Sequence, residues 1–192
     1  TNGLSYLASK GSGILVKRVI LNPAAETDAH YAKLMAALRE NPETELFFMG
    51  AGDVYGNFHC LWPPREALPE EVNEQSLILL FTANGKRCLF TGDAGQPSEE
   101  KLLEWLAAPE QAAERAALTD IDLLKVGHHG SRGASSDAFL ALLSPDCALI
   151  SCGRGNSYGH PHAEAMERLR RHAGQGHSTA KEGALSVELL PN

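Results

Sequence analysis

An α/β fold is the class that the 192-residue sequence predicts, and two observations support it. Short apolar runs rich in β-branched residues alternate with longer segments in which apolar residues recur at helical spacing. The connections are mixed as well, because one pair of runs is joined by the tight-turn dipeptide Asn84-Gly85 whereas others flank a helical segment. The chain is therefore expected to combine hairpins with crossover connections in a single domain over residues 1–192.

The first half of the chain contains one predicted helix among several predicted strands. The helix covers residues 28–40 and places Tyr31, Leu34 and Leu38 on one face. The strands are apolar runs bounded by turn residues, and they are assigned to residues 14–21, 45–50, 57–62, 76–82 and 86–93. Residues 63–75 contain prolines and many polar side chains, which indicates a loop.

The second half of the chain alternates between helices and strands. A helix is predicted over residues 97–108, with Ser98 as the N-cap because acidic residues and an apolar stripe follow it. The other helices show the same apolar periodicity, and they are assigned to residues 109–118, 135–143 and 161–172. The other strands are short apolar runs, and they are assigned to residues 122–127, 147–153 and 183–190.

Composition limits the class of function. Seventeen basic and 24 acidic residues give a net charge of −7, which disfavours a broad nucleic-acid surface but not a local basic groove or a metal site. The four cysteines contain no Cys-x-x-Cys pair, so neither a disulfide framework nor a cysteine-based zinc site is expected. No transmembrane segment or signal peptide is predicted, which indicates a soluble domain, either cytoplasmic or part of a membrane-associated parent. The start at Thr1 indicates an excised domain, a processed product or a fragment.

Polar residues with the chemistry of metal ligands follow three of the apolar runs. They are Asp93, the pair His128 and His129, and the group Asn156, His160 and His162. If the runs are neighbouring strands, their loops meet at one sheet edge, where carboxylate and imidazole groups suit Zn²⁺, Mn²⁺ or iron. Asp93, His128 and His160 are therefore expected to lie close together. Strand alternation sends adjacent side chains to opposite faces, so only one of the two adjacent histidines is expected to face a metal.

Each of these clusters also has an ordinary structural interpretation. Gly-Asp turns are common, a histidine pair can cap a helix, and "GHPH" can be a surface segment before a helix. The remaining histidines have no partner nearby in the sequence and are expected to be structural, namely His30, His59, His172 and His177.

The order of these motifs resembles a known family. The segments "NEQSLILLF", "CLFTGD", "DLLKVGHHGSRGASS", "GRGNSYGHPHAEAMERL" and "HSTAKEGALSVEL" are similar to the metallo-β-lactamase-like domain of ComEC-type competence proteins, over about residues 14–189. The resemblance implies a four-layer αββα sandwich with two mainly antiparallel sheets, incomplete at the N-terminus.

The resemblance also implies residue roles. Asp93 corresponds to the carboxylate that bridges two metal ions. His128 is the better match to the histidine that binds one of these ions, and the adjacent His129 is implied to have a catalytic role. Asn156 and His160 are implied to act on the substrate phosphate or the attacking water. The implied substrate-binding residues are Ser131, Arg132 and Tyr158 in these loops, and Asn73 and Ser76, which correspond to the family's Asn-x-x-Ser element.

One family motif is absent from the sequence. The first ligand cluster, His-x-Asp-x-Asp-His, has no match before Leu21, and "TNGLSYL" resembles the segment that follows it. At most one Zn²⁺ or Mn²⁺ ion is therefore expected here, against two in the complete family domain, and little activity is expected without the missing segment. A further segment or a partner chain is expected to complete the sandwich.

The function expected from the resemblance is metal-dependent hydrolysis of a phosphodiester. Single-stranded DNA degraded during uptake is the implied substrate, and a smaller phosphodiester is the other possibility. Hydrolysis of an ester, lactone or thioester at the same metal site is an alternative, as is a metal-poor binding module or half of a split domain. A His-x-Asp-x-Asp-His motif encoded upstream of Thr1 would favour the enzyme over the binding module.

Overall fold

A computed structural model describes residues 2–23 and 29–191 of the chain, which divides into units of residues 1–49 and 50–192. The α/β class predicted from the sequence is confirmed, since helices and strands occur in both units. The single domain predicted over residues 1–192 stays a prediction. Within the described ranges, every helix is too short or too polar to cross a membrane.

The first unit is a small α/β element with its own core. Its elements are α1 (Asn2–Ala8), β1 (Arg18–Leu21), α2 (Ala29–Arg39) and β2 (Glu45–Phe48). The two strands are parallel, with Val19 opposite Leu46, and Leu34 and Leu38 of α2 are buried with Val19. The predicted strand at residues 14–21 is thus shorter than expected, and α1 was not predicted. The helix predicted over residues 28–40 is confirmed from Ala29 to Arg39, and residue 28 lies outside the described residues.

The second unit contains a seven-stranded sheet whose strands lie side by side in chain order. They are β3 (Val54–Tyr55), β4 (Phe58–Trp62), β5 (Ile78–Ala83), β6 (Lys86–Phe90), β7 (Leu123–Lys125), β8 (Cys147–Ile150) and β9 (Gln175–Ser178). From β3 to β6 the neighbouring strands are antiparallel, and from β6 to β9 they are parallel. The expectation of mainly antiparallel sheets was therefore wrong for this sheet, because helical crossovers connect its last four strands.

Helices connect the parallel strands of this sheet. The short α7 (Thr179–Glu182) follows β9, and the connecting helices are α3 (Gln96–Leu106), α4 (Ala112–Leu118), α5 (Asp137–Leu143) and α6 (Ala163–His172). Their apolar faces are buried in one core with the strands, as the near-zero exposure of Leu89, Leu124 and Phe139 shows. Burial of such side chains stabilises the unit by roughly 1.5–3 kcal/mol for each residue.

Two predicted features differ in this unit. Ser98 is not the N-cap of α3, because the helix begins at Gln96 after Gly95, and the Ser98 hydroxyl instead donates to the Glu74 carboxylate at 2.5 Å. The strand predicted at residues 183–190 is absent, and β9 pairs with β8 in its place. The α6 crossover delivers residues 175–178 to the edge of β8, whereas the apolar alternation of the later segment does not lead to a strand.

Candidate functional site

Three loops converge at the carboxyl ends of β6, β7 and β8, the edge at which parallel strands commonly place functional groups. Backbone hydrogen bonds join the loops to one another. The amide of His128 donates to the carbonyl of Gly92 at 3.0 Å, and the amide of His162 donates to the carbonyl of Gly130 at 2.9 Å. The strand-and-loop pattern of the sequence therefore leads to one cluster, as expected.

The loop after β6 holds Asp93 in a tight turn. The amide of Asp93 donates to the Ser76 hydroxyl at 3.1 Å, and Gly92 adopts a left-handed φ of 55°. A Cβ atom on Gly92 would lie 2.9 Å from the Cβ atom of Ser76. Ser76 thus braces the turn that presents the Asp93 carboxylate, and Gly92 allows the two segments to approach.

Replacing Gly92 with Ala is expected to lower the free energy of unfolding by about 1–3 kcal/mol, because it combines an unfavourable φ with a contact to Ser76. Urea denaturation monitored by circular dichroism measures this change. Gly176→Ala is the matched control, since Gly176 has open space around it and no positive φ. Equal stability of the Gly92 variant and the wild type would contradict the prediction.

The histidine pair lies in a left-handed turn rather than in a strand. Strand β7 ends at Lys125, and His128 and His129 have φ values of 45° and 57°. The prediction that alternation turns one ring away is therefore wrong, because alternation requires extended backbone. Both rings lie near His160, with centroid distances of 5.8 Å from His128 and 6.1 Å from His129. Left-handed non-glycine residues cost of order 1–3 kcal/mol each and concentrate at functional sites.

His129 is oriented by two groups. Its Nδ1 lies 2.7 Å from the carbonyl of Ser151, and its Nε2 lies 3.5 Å from Oδ1 of Asp93. In the neutral ring, Nδ1 donates its hydrogen to the carbonyl, and the lone pair of Nε2 then faces the carboxylate. Two such acceptors are stable side by side when a cation or a proton lies between them. A backbone carbonyl on the second nitrogen is typical of metal-binding histidines.

Asn156 organises the loop after β8. Its Nδ2 donates to the carbonyls of Gly153 at 2.9 Å and His160 at 2.6 Å, and its Oδ1 accepts the amide of His160 at 3.0 Å. All these partners belong to its own loop, so Asn156 positions His160. Burial and the neighbouring rings His162, His128 and His129 lower the pKa of His160, which favours the neutral imidazole.

The residues expected to contact substrate lie at different distances from this cluster. Ser131 directly follows the turn of His128–Gly130, and the exposed Arg132 guanidinium lies 3.6 Å from the carboxylate of Glu164. Tyr158 is 76% exposed, and its ring stacks on that of His160. Asn73 is exposed, and within the described ranges it reaches the site only through its carbonyl, which accepts the amide of Ser76.

Sequence reasoning missed the groups that hold the loop at residues 131–136. The buried Glu99 accepts the amides of Ser135 at 2.6 Å and Ser136 at 2.7 Å. Arg168 of α6 donates to the carbonyls of Ser135, Arg132 and Ala134. The sequence offered one weak signal, an acidic residue in the first turn of a helix, which is also typical of exposed helix ends.

Two histidines expected to be structural have structural partners. The Nε2 of His172 lies 3.0 Å from Asp137, and the Nδ1 of His177 lies 2.9 Å from Glu182. These contacts join α6 to α5 and β9 to α7.

The side chains at the site have the chemical types that bind a metal ion, but they are not arranged as a complete set of ligands. Asp93, His128, His129 and His160 supply the carboxylate and imidazole groups that Zn²⁺ and Mn²⁺ accept. Within residues 2–23 and 29–191, however, no three side chains of His, Cys, Asp or Glu are arranged to hold a metal ion. The chemistry of the donors therefore fits a metal, and the described residues do not form a closed ligand set.

Comparisons with known proteins agree with the sequence motifs. Residues 67–154 match the metallo-β-lactamase superfamily, a range that includes Asp93 and both adjacent histidines. The chain is 32% identical over 162 residues to ComE operon protein 3 of Bacillus subtilis, covering 82% of this chain and 19% of that protein. It is 33% identical over 203 residues to Recombination protein 2 of Haemophilus influenzae, which covers 97% of this chain and 24% of that protein. It is 32% identical over 126 residues to competence protein ComA of Neisseria gonorrhoeae, which covers 66% of this chain and 17% of that protein.

The chain thus spans about a fifth of the length of these relatives. It belongs to the metallo-β-lactamase superfamily, as a domain of the type found in ComEC-type competence proteins.

Proposed function

We propose that this chain is part of the hydrolase domain of a larger competence protein and that the complete domain cleaves a phosphodiester with the help of a metal ion. The observation that supports this most strongly is the facing pair of Asp93 and His129, 3.5 Å apart and surrounded by the rings of His128 and His160. One relative of the chain is named for competence and another for recombination, and we therefore propose that the substrate is DNA taken up by the cell.

Asp93 and His128 would hold the ion, and His129 would act beside Asp93. When bound, Zn²⁺ or Mn²⁺ supplies Lewis acidity and makes water a better nucleophile at neutral pH. The contribution of the chain is orientation. The Ser151 carbonyl holds the hydrogen of His129 on Nδ1, and Ser76 fixes the turn below Asp93.

The substrate side of the site is proposed to bind an anion. Neutral His160, positioned by Asn156, can orient a non-bridging oxygen of the phosphate or the attacking water. Arg132 is 65% exposed and adds a positive charge that can pair with phosphate. Ser131, which follows the histidine turn, and the exposed Asn73 are also proposed to contact the substrate backbone.

Hydrolysis assays of the parent protein test the proposal, and the purified chain alone is expected to show little activity. A labelled single-stranded oligonucleotide and bis(p-nitrophenyl) phosphate are incubated with Mn²⁺ or Zn²⁺, and a parallel sample contains excess chelator. Release of product that requires the metal supports a phosphodiesterase. Cleavage of a model thioester without cleavage of either phosphodiester would instead support the ester-hydrolase alternative.

Metal analysis gives a second expected result. The described donors comprise one carboxylate and a few imidazoles, and a catalytic zinc ion commonly takes about three protein ligands. We therefore expect the chain to bind at most one equivalent of Zn²⁺ or Mn²⁺, weakly, in equilibrium dialysis followed by atomic emission. Two tightly held equivalents would contradict this and would bring His162 or Asp53 into the ligand set.

A further inference from the structure

Three rings form a row that leads outward from Asp93. His129 lies beside the carboxylate, His160 stacks on His129 with an angle of 24° between the ring planes, and Tyr158 stacks on His160 at 17°. The centroid distances along the row are 6.1 Å and 5.7 Å, within the range of offset stacking. Tyr158 is the outermost ring of this row.

The exposure of Tyr158 is not explained by packing. At 76%, it is the most exposed of the large hydrophobic residues described. One face of its ring lies against His160, and within the described part of the chain no aromatic ring covers the other face. The loop is nevertheless ordered by Asn156, so the ring is held in place rather than left on a free segment.

We propose that Tyr158 is a stacking platform for an unpaired nucleobase next to the phosphate that is cleaved. This inference rests on the proposed phosphodiesterase function. Every base has a π face, so an exposed aromatic ring beside an anion site suits a nucleic acid strand of any sequence. In a duplex the bases already stack on one another, and only a single strand can place one on the ring without unpairing. The platform therefore selects single-stranded substrate over duplex.

Binding measurements distinguish the contribution of the bases to affinity from that of the sugar-phosphate backbone. Fluorescence anisotropy is recorded in excess chelator with a labelled oligodeoxythymidylate and with an abasic strand of the same length. Stacking on one aromatic ring contributes about 1–3 kcal/mol, so Tyr158→Ala is expected to weaken binding of the base-bearing strand about fivefold or more. Tyr158→Phe keeps the ring and is expected to bind within about twofold of the wild type. Trp105→Ala, at a partly exposed aromatic residue of α3, is the matched control and is expected to change nothing.

Binding of the abasic strand is expected to be the same for wild type and Tyr158→Ala. An equal loss on both strands would overturn the inference, because the ring would then support the loop and not a base. Unchanged binding of the base-bearing strand in Tyr158→Ala would overturn it too, as would a wild type that binds neither strand. Hydrolysis of bis(p-nitrophenyl) phosphate by the parent protein reports on the proposed function separately. Ring-dependent binding without that hydrolysis would support the platform and reject the phosphodiesterase.

Discussion

Asp93→Asn in the parent protein is expected to lower metal-dependent phosphodiester hydrolysis by at least about 100-fold while the fold stays intact. The substitution keeps the shape of the side chain but removes the negative charge next to His129. Replacing a group that merely supports a metal ligand commonly costs about 10–100-fold, and the loss of a ligand itself should exceed that. Initial rates on bis(p-nitrophenyl) phosphate at saturating Mn²⁺ measure the effect.

The control for this change is Asp120→Asn. Asp120 is an exposed carboxylate in the same unit, and its φ of 53° is one that Asn adopts readily. Both variants should unfold within about 0.5 kcal/mol of the wild type, because both side chains are substantially exposed. If Asp93→Asn retained wild-type rates, Asp93 would have no role in holding a metal.

The position of the candidate site at one edge of the sheet could be predicted, because it depends on polar residues that directly follow apolar runs in the sequence. Asp93 and the histidine pair each follow an apolar run, and parallel strands bring such ends together. The conformation of the pair could not be predicted in the same way. The left-handed turn at His128 and His129 is supported by a hydrogen bond to Gly92, which is 36 residues away from His128 in the chain.

Strand β9 shows a second limit of predicting structure from sequence pattern. The segment at residues 183–190 alternates apolar and polar residues as a strand does, yet β9 forms from the polar sequence Gln175–Ser178. Pairing with β8 determines which segment forms the strand, because α6 returns the chain to the edge of β8 immediately before residue 175. Tertiary context commonly overrides propensity in short edge strands of this kind.

Glu99 was inaccessible to sequence reasoning for the same physical reason. Its carboxylate is 1% exposed and accepts two amides of a loop that lies 36 residues further along the chain. Arg168 of α6 donates to the carbonyls of that loop. This loop follows the histidine pair, and both α3 and α6 contact it. The role of Glu99 in holding the loop beside the candidate site is therefore visible only in the folded structure.

Glu99→Ala is expected to lower the free energy of unfolding by about 3 kcal/mol. It leaves the amides of Ser135 and Ser136 without acceptors, and each buried unsatisfied group costs about 1–3 kcal/mol. Urea denaturation measures the loss. Glu100→Ala is the matched control, because Glu100 is the next residue of the same helix but is exposed, and its effect should stay within about 0.5 kcal/mol.

Glu99→Gln adds a test of charge, because it does not titrate. Burial raises the pKa of Glu99 above 4.5, although the two amides and Arg168 act to lower it. A folded-state pKa above the unfolded value means that the folded chain holds its proton more tightly. The contribution of Glu99 to stability is then largest below about pH 4.5 and declines as the pH rises through the folded-state pKa. The difference obtained by subtracting the unfolding free energy of Glu99→Gln from that of the wild type should therefore fall over that window. A difference that grows with pH would instead show that the amides and Arg168 outweigh burial, and that Glu99 holds the loop as a charged group.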